Sequence, residues 1–204
     1  MSAVLDLADI APAFADPTRG SQAVFRKVME CMARPGVIHD LAFAPDAPPG
    51  LDRAAGAVAL TLFDFETLVW LDPRLRGGVA EGWIRFHCGA PLTEDPLAAA
   101  FALISDISAA PAISAFNMGD AKYPDRSTTL VIQLPSLVGG PQVVLTGPGI
   151  KTETTLAFAG LPDGFWAQVQ TNQERFQFGV DFIFVAGDRV TALPRSTRIT
   201  IKGD

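Results

Sequence analysis

The sequence predicts one α/β domain over residues 1–204, a mixed β-sheet covered by helices. Three observations lead there. Segments whose apolar residues recur every three or four positions alternate with short β-branched runs. Two such runs near the C-terminus meet through Gly187-Asp188, as in a hairpin. No internal repeat, low-complexity tract or long linker divides the chain.

Pro17 to Arg34 reads as an amphipathic helix, with Val24, Phe25, Val28, Met29 and Met32 at helical spacing between Arg26, Lys27 and Glu30. Thr18 or Ser21 is the expected cap, and Pro35-Gly36 ends the helix, which places Arg34 at its exit. Pro45 to Gly50 is a proline-rich loop. Asp52 to Phe63, apolar on most sides, predicts a buried helix, and Thr67 to Leu71 a short buried strand. Pro73 to Gly82 supplies a turn, after which Ile84, Phe86 and Cys88 alternate with Arg85 and His87 as in a half-exposed strand. The alanine-rich stretch Asp95 to Ile104 predicts a helix, Pro111 to Phe116 a strand, and Asn117 to Asp125 a loop. Thr128 to Leu134 and Gln142 to Thr146 are β-branched runs expected to lie side by side across Gly139-Gly140-Pro141. Pro162 to Phe176 predicts a helix with Phe165, Trp166 and Val169 on its apolar side. Val180 to Val185 and Arg189 to Leu193 predict the hairpin.

Composition narrows the function classes. A hydrophobic share of 49% and mean hydropathy of +0.26 favour a buried partner surface. A net charge of -6 without a long basic run argues against nucleic acid. Twelve of the sixteen basic residues are arginine, and a guanidinium fork can still hold one phosphate or carboxylate. Cys31 and Cys88 sit among apolar neighbours and read as reduced thiols. The stretch Met1 to Phe14 lacks the basic start and apolar core of a secretory signal, and no segment is long and apolar enough for a membrane span, so a cytoplasmic location is expected.

No catalytic set emerges. Gly147-Pro148-Gly149-Ile150-Lys151-Thr152 follows a strand as a phosphate loop would, but Ile150 stands where Gly must precede the Lys and Pro148 lacks a donor, so a structural turn is expected. His39 and His87 make no metal site, and no Cys or His pair has metal-ligand spacing. None of the lysines, Lys27, Lys122, Lys151 and Lys202, lies in a sequence context that marks an aldimine former. The remaining polar candidates are Arg34, Arg126 and Arg195 for anions, and Asp125, Asn172 and Asp181 as a polar site. Each also has a structural reading: Asp125 as a turn cap, Asn172 as a backbone partner, Arg195 as a surface ion pair. Arg195 and Asp181 lie at strand ends, where α/β sheets usually dock ligands.

Taken together, Arg34-Pro35-Gly36, Arg85-Phe86-His87, Gly147-Pro148-Gly149-Ile150, Phe165-Trp166, Gly179-Val180-Asp181 and Leu193-Pro194-Arg195-Ser196-Thr197 make the chain resemble the H subunits of the bacterial carbon-phosphorus lyase core complex nearly end to end. The resemblance implies a fold similar to the large domain of pyridoxal-phosphate-dependent transferases, without that cofactor. It also implies a homodimer and an assembly with G, I and J subunits. Such an assembly moves an alkylphosphonate onto the ribose of a nucleoside triphosphate with release of the base. It implies an auxiliary role, with an arginine clamp for phosphonate or triphosphate as the alternative.

Overall fold

The structure, a computed structural model, describes residues 10–201. Lys202 and the first nine residues of the Met1 to Phe14 stretch lie outside the described residues. Helices α1 (Pro17–Ala33), α2 (Arg53–Leu62), α3 (Val79–Cys88) and α4 (Phe165–Glu174) accompany ten strands: β1 (His39–Asp40), β2 (Val69–Leu71), β3 (Leu92–Thr93), β4 (Phe101–Ile104), β5 (Thr129–Gln133), β6 (Val143–Thr146), β7 (Thr154–Leu156), β8 (Asp181–Ala186), β9 (Arg189–Leu193) and β10 (Arg198–Ile201).

Seven strands form the main sheet in the order β1-β9-β8-β5-β4-β2-β3. Strands β3, β2, β4, β5 and β8 run parallel, whereas β9 returns antiparallel from β8 and pairs with β1. Successive residues of a strand face opposite sides, so Ile183 and Val185 enter one core while Phe182 and Phe184 enter the other. The first core is closed by α1, α2 and α3. The second lies under α4 and a small antiparallel sheet, β10-β6-β7. The α/β class, the hairpin β8-β9 and helices α1, α2 and α4 match the sequence reading.

Five expectations are corrected. Ile84, Phe86 and Cys88 belong to helix α3: Ala80, Trp83 and Ile84 are buried at helical spacing, Phe86 is 58% exposed, and Gly89 caps the end at φ 65°. Strand-like alternation in that stretch was coincidental, because adjacent Trp83 and Ile84 both face the core. Asp95 to Ile104 is a 3-10 turn, Pro96–Ala98, followed by β4; Asp95 caps the turn, and the apolar run Phe101 to Ile104 fits the middle of a parallel sheet. Pro111 to Phe116 is likewise a 3-10 turn, Ile113–Ala115. Finally, β5 and β6 do not pair. β5 is central in the main sheet, and β6 crosses to the small one, pairing with β10 and β7. Helix α1 takes its cap from Asp16, whose carboxylate accepts the Arg19 N–H at 3.0 Å, and neither Thr18 nor Ser21 serves.

Candidate functional site

All the candidate residues but Arg34 lie about the amino edge of the parallel strands. Asp181 begins β8, and because β9 runs antiparallel, Arg195 emerges beside it after the Pro194 turn. The Asp181 carboxylate accepts the Arg195 backbone N–H at 2.7 Å and the Arg195 Nε–H at 3.2 Å, and it pairs with Nη2. Arg195 also donates through Nη1 to the Pro124 carbonyl at 2.8 Å and through Nη2 to the Ser127 hydroxyl. Their side chains are 15% and 20% exposed, so this is a half-buried brace and not the surface ion pair weighed from the sequence. It joins the β8-β9 hairpin to the turn before β5.

Asn172 does what its structural reading required. Buried in α4, it donates to the Val180 carbonyl at 3.0 Å and accepts the Val180 N–H at 2.8 Å, fixing the entry into β8. Gly179 must be glycine there, because its φ is 120° and a Cβ would stand 2.7 Å from the Asn172 amide oxygen. Asp125 and Arg126 are exposed on the 3-10 turn Pro124–Arg126, with the Arg126 guanidinium 4.0 Å above the Tyr123 ring. Arg34 caps α1 and lies 3.6 Å from Glu30, its side chain 68% exposed.

The three arginines do not converge on one hollow. Arg195 borders a cleft of about 590 Å³ with Thr146, Pro148, Glu174, Phe176 and Arg198. Arg126 and Asp125 line a separate hollow of about 410 Å³ with Glu66 and Asn117. Arg34 borders neither. The glycine turn packs between the end of α1 and the cleft: a Cβ on Gly149 would sit 1.9 Å from the Ala33 carbonyl, and one on Gly147 3.2 Å from the Ser196 carbonyl. The turn thus packs the end of α1 against the start of β10, the structural role expected for it.

Sequence reasoning missed two groups. Arg198 is exposed in the cleft and forms no ion pair among the described residues, while Phe176 is 59% exposed beside it. The alternation of Arg198 and Thr200 with buried Ile199 could have marked Arg198 as outward-facing. The second group is His39, whose Nδ1 lies 3.4 Å from the Lys27 ammonium and whose Nε2 lies 3.1 Å from Glu30. Lys27, Glu30 and Arg34 share one helical face, a spacing visible in the sequence. Its partner strand β1 was not.

Other features bear on chemistry. Lys122 and Lys151 are exposed, and Lys27 is committed to Glu30 and His39. Both cysteines are free thiols; burial raises each to a pKa of about 12. Among the described residues no group of three or more His, Cys, Asp or Glu is placed to hold a metal ion, and no helix is long and apolar enough to cross a membrane.

Residues 12–200 match the family described as bacterial phosphonate metabolism protein (PhnH). The chain belongs to the PhnH family. Among its relatives is the alpha-D-ribose 1-methylphosphonate 5-triphosphate synthase subunit PhnH of Rhizobium meliloti (strain 1021), 44% identical over 187 residues that cover 92% of this chain and 94% of the relative. A second, the putative C-P lyase subunit protein HtxG of Stutzerimonas stutzeri, is 38% identical over 86 residues, covering 42% of this chain and 44% of that protein. Membership in the PhnH family spans both sheets and the whole amino-edge constellation, so the brace and the cleft belong to the matched region.

Proposed function

We propose that this chain is an auxiliary subunit of a carbon-phosphorus lyase assembly, needed for the transfer of an alkylphosphonate to C1 of the ribose of a nucleoside triphosphate with release of the base. The observation that carries this reading is the 44% identity, over nearly the full length, to a protein named as a subunit of that synthase. The amino-edge geometry supports the auxiliary role, because Arg195, Asp181 and Asn172 spend their hydrogen-bonding capacity on the protein itself. G, I and J subunits are the proposed partners, a homodimer the proposed state of the isolated chain, and the cytoplasm the proposed location. The seven-stranded mixed sheet, with an antiparallel strand beside its parallel core, is compatible with the proposed kinship to the large domain of pyridoxal-phosphate-dependent transferases, the cofactor being absent from the proposal.

In the alternative reading the arginines clamp a phosphonate or triphosphate. Its members are Arg34 and Arg126, both exposed, and Arg195, which borders the cleft and also holds the Arg126 turn in place. The test is reconstitution. The assembly lacking this chain, and this chain alone, are both expected to give no transfer from methylphosphonate and nucleoside triphosphate, and recombining them restores it. Turnover by the purified chain alone would overturn the auxiliary reading. Sedimentation showing only a 21.6 kDa species at micromolar concentration would overturn the homodimer.

A further inference from the structure

The opposite edge of the sheet holds a second polar constellation. From β2 the chain passes to β3 through α3, which packs on the first core. From β4 it passes to β5 through 3-10 turns whose Ile113 and Phe116 pack on the second. Strands β2 and β4 are parallel neighbours, so between their carboxyl ends the connections diverge to opposite faces. In open α/β sheets that divergence opens the crevice in which ligands dock.

Asp72 fills this position. It follows β2 directly and is fully buried. One carboxylate oxygen accepts the N–H groups of Arg74 at 2.7 Å and Leu75 at 3.3 Å. The other accepts the Ser105 N–H, the Ser105 hydroxyl at 2.8 Å and the Asp106 N–H at 3.1 Å, all from the end of β4. The Arg74 guanidinium reaches Asp106 at 2.5 Å alongside. The first two donors belong to Asp72's own turn, but the other three come from a neighbouring strand. Backbone N–H groups converging on one anion are the donor set of a nest.

We infer that the carboxyl-edge crevice is an anion-binding nest whose resident ligand is the chain's own Asp72 carboxylate. The external species of matching chemistry is a small planar monocarboxylate, and it enters only when that side chain is removed. The place that the topology reserves for a ligand is therefore closed from within.

Thermal unfolding of the full chain tests this. Asp72→Ala is expected to melt about 6–20 °C below the parent chain. About 50 mM sodium formate should restore at least half of that loss, with a recovery that grows as the logarithm of formate concentration, whereas sodium chloride restores none and the parent chain does not respond. No recovery with formate, or the same recovery with chloride, would overturn the inference. If Asp72→Ala does not fold, Asp72→Asn decides. Its amide sets a donor against an N–H on one side, so it must melt at least about 5 °C lower, and a melting point within about 2 °C of the parent overturns the inference. Asp72→Ser, which keeps the local turn but cannot span to Ser105, should resemble Asp72→Ala; parent-like stability there would reduce Asp72 to a turn cap and overturn the inference too.

Discussion

Replacing Arg195 with alanine removes in one step the guanidinium contacts to Asp181, to the Pro124 carbonyl and to the Ser127 hydroxyl. The Asp181 carboxylate is left with only the residue-195 backbone N–H, at 2.7 Å, while remaining mostly out of water at 20% exposure. Breaking one partner out of a buried pair costs about 3–5 kcal/mol, and the residual exposure on both sides screens this to about 2–4 kcal/mol. In a chain of this length each kcal/mol moves the melting temperature by about 2–4 °C, so a fall of about 4–16 °C is expected by circular dichroism. A double-mutant cycle with Asp181→Ala should return a coupling of about 1–3 kcal/mol. In the reconstituted assembly, held below the variant's melting point, turnover should stay above about a tenth of the parent's, a barrier change under about 1.4 kcal/mol. An unchanged melting temperature combined with a thousandfold fall in turnover would refute the reasoning and make Arg195 a ligand-contacting group.

Other perturbations probe the same framework. Asn172→Ala strands the N–H and C=O of Val180 in the core, and urea unfolding should show a loss of about 2–4 kcal/mol. Gly149→Ala places a methyl group 1.9 Å from the Ala33 carbonyl at a φ of 80°; separation of α1 from the β10 turn should appear as rapid hydrogen exchange in both segments, and parent-like protection would contradict the packing role. Burial raises Cys31 and Cys88 from an ordinary 9.0 to about 12, so folding favours the protonated thiols. Their contribution to stability is complete below pH 9 and is lost as pH rises toward about 12. At pH 8 a disulfide-exchange reagent should label neither thiol until denaturant is added.

Legibility differed from element to element for identifiable reasons. Helix α1 was readable because its period, its Pro35 stop and its charges all agree. Helix α3 was not, because Arg85 and His87 interrupt Ile84, Phe86 and Cys88 in a pattern that serves strand and helix alike; only the burial of Trp83 beside Ile84 resolves it. Four alanines between Asp95 and Ile104 favoured a helix, but hydrogen bonding to β2 and β5 on both sides outweighs that local propensity in β4. At the site, residue types and strand-end positions pointed to Arg195 and Asp181, whereas their mutual engagement was hidden, since it joins positions 14 apart with a turn 68 to 71 residues away.

What this sequence determined by itself was everything local: the α/β class, three of the four helices among the described residues, the terminal hairpin, the structural nature of the glycine turn and, through ordered motifs along the whole chain, the family. Tertiary structure alone decided that β5 and β6 part company into different sheets, that Arg195 is spent as a brace while Arg198 stays open, and that Asp72 occupies the carboxyl-edge crevice. Periodicity reports which face of a segment is buried. It carries no record of which distant backbone donors a buried carboxylate or guanidinium will meet, and those partners settle whether a polar residue serves the fold or a ligand.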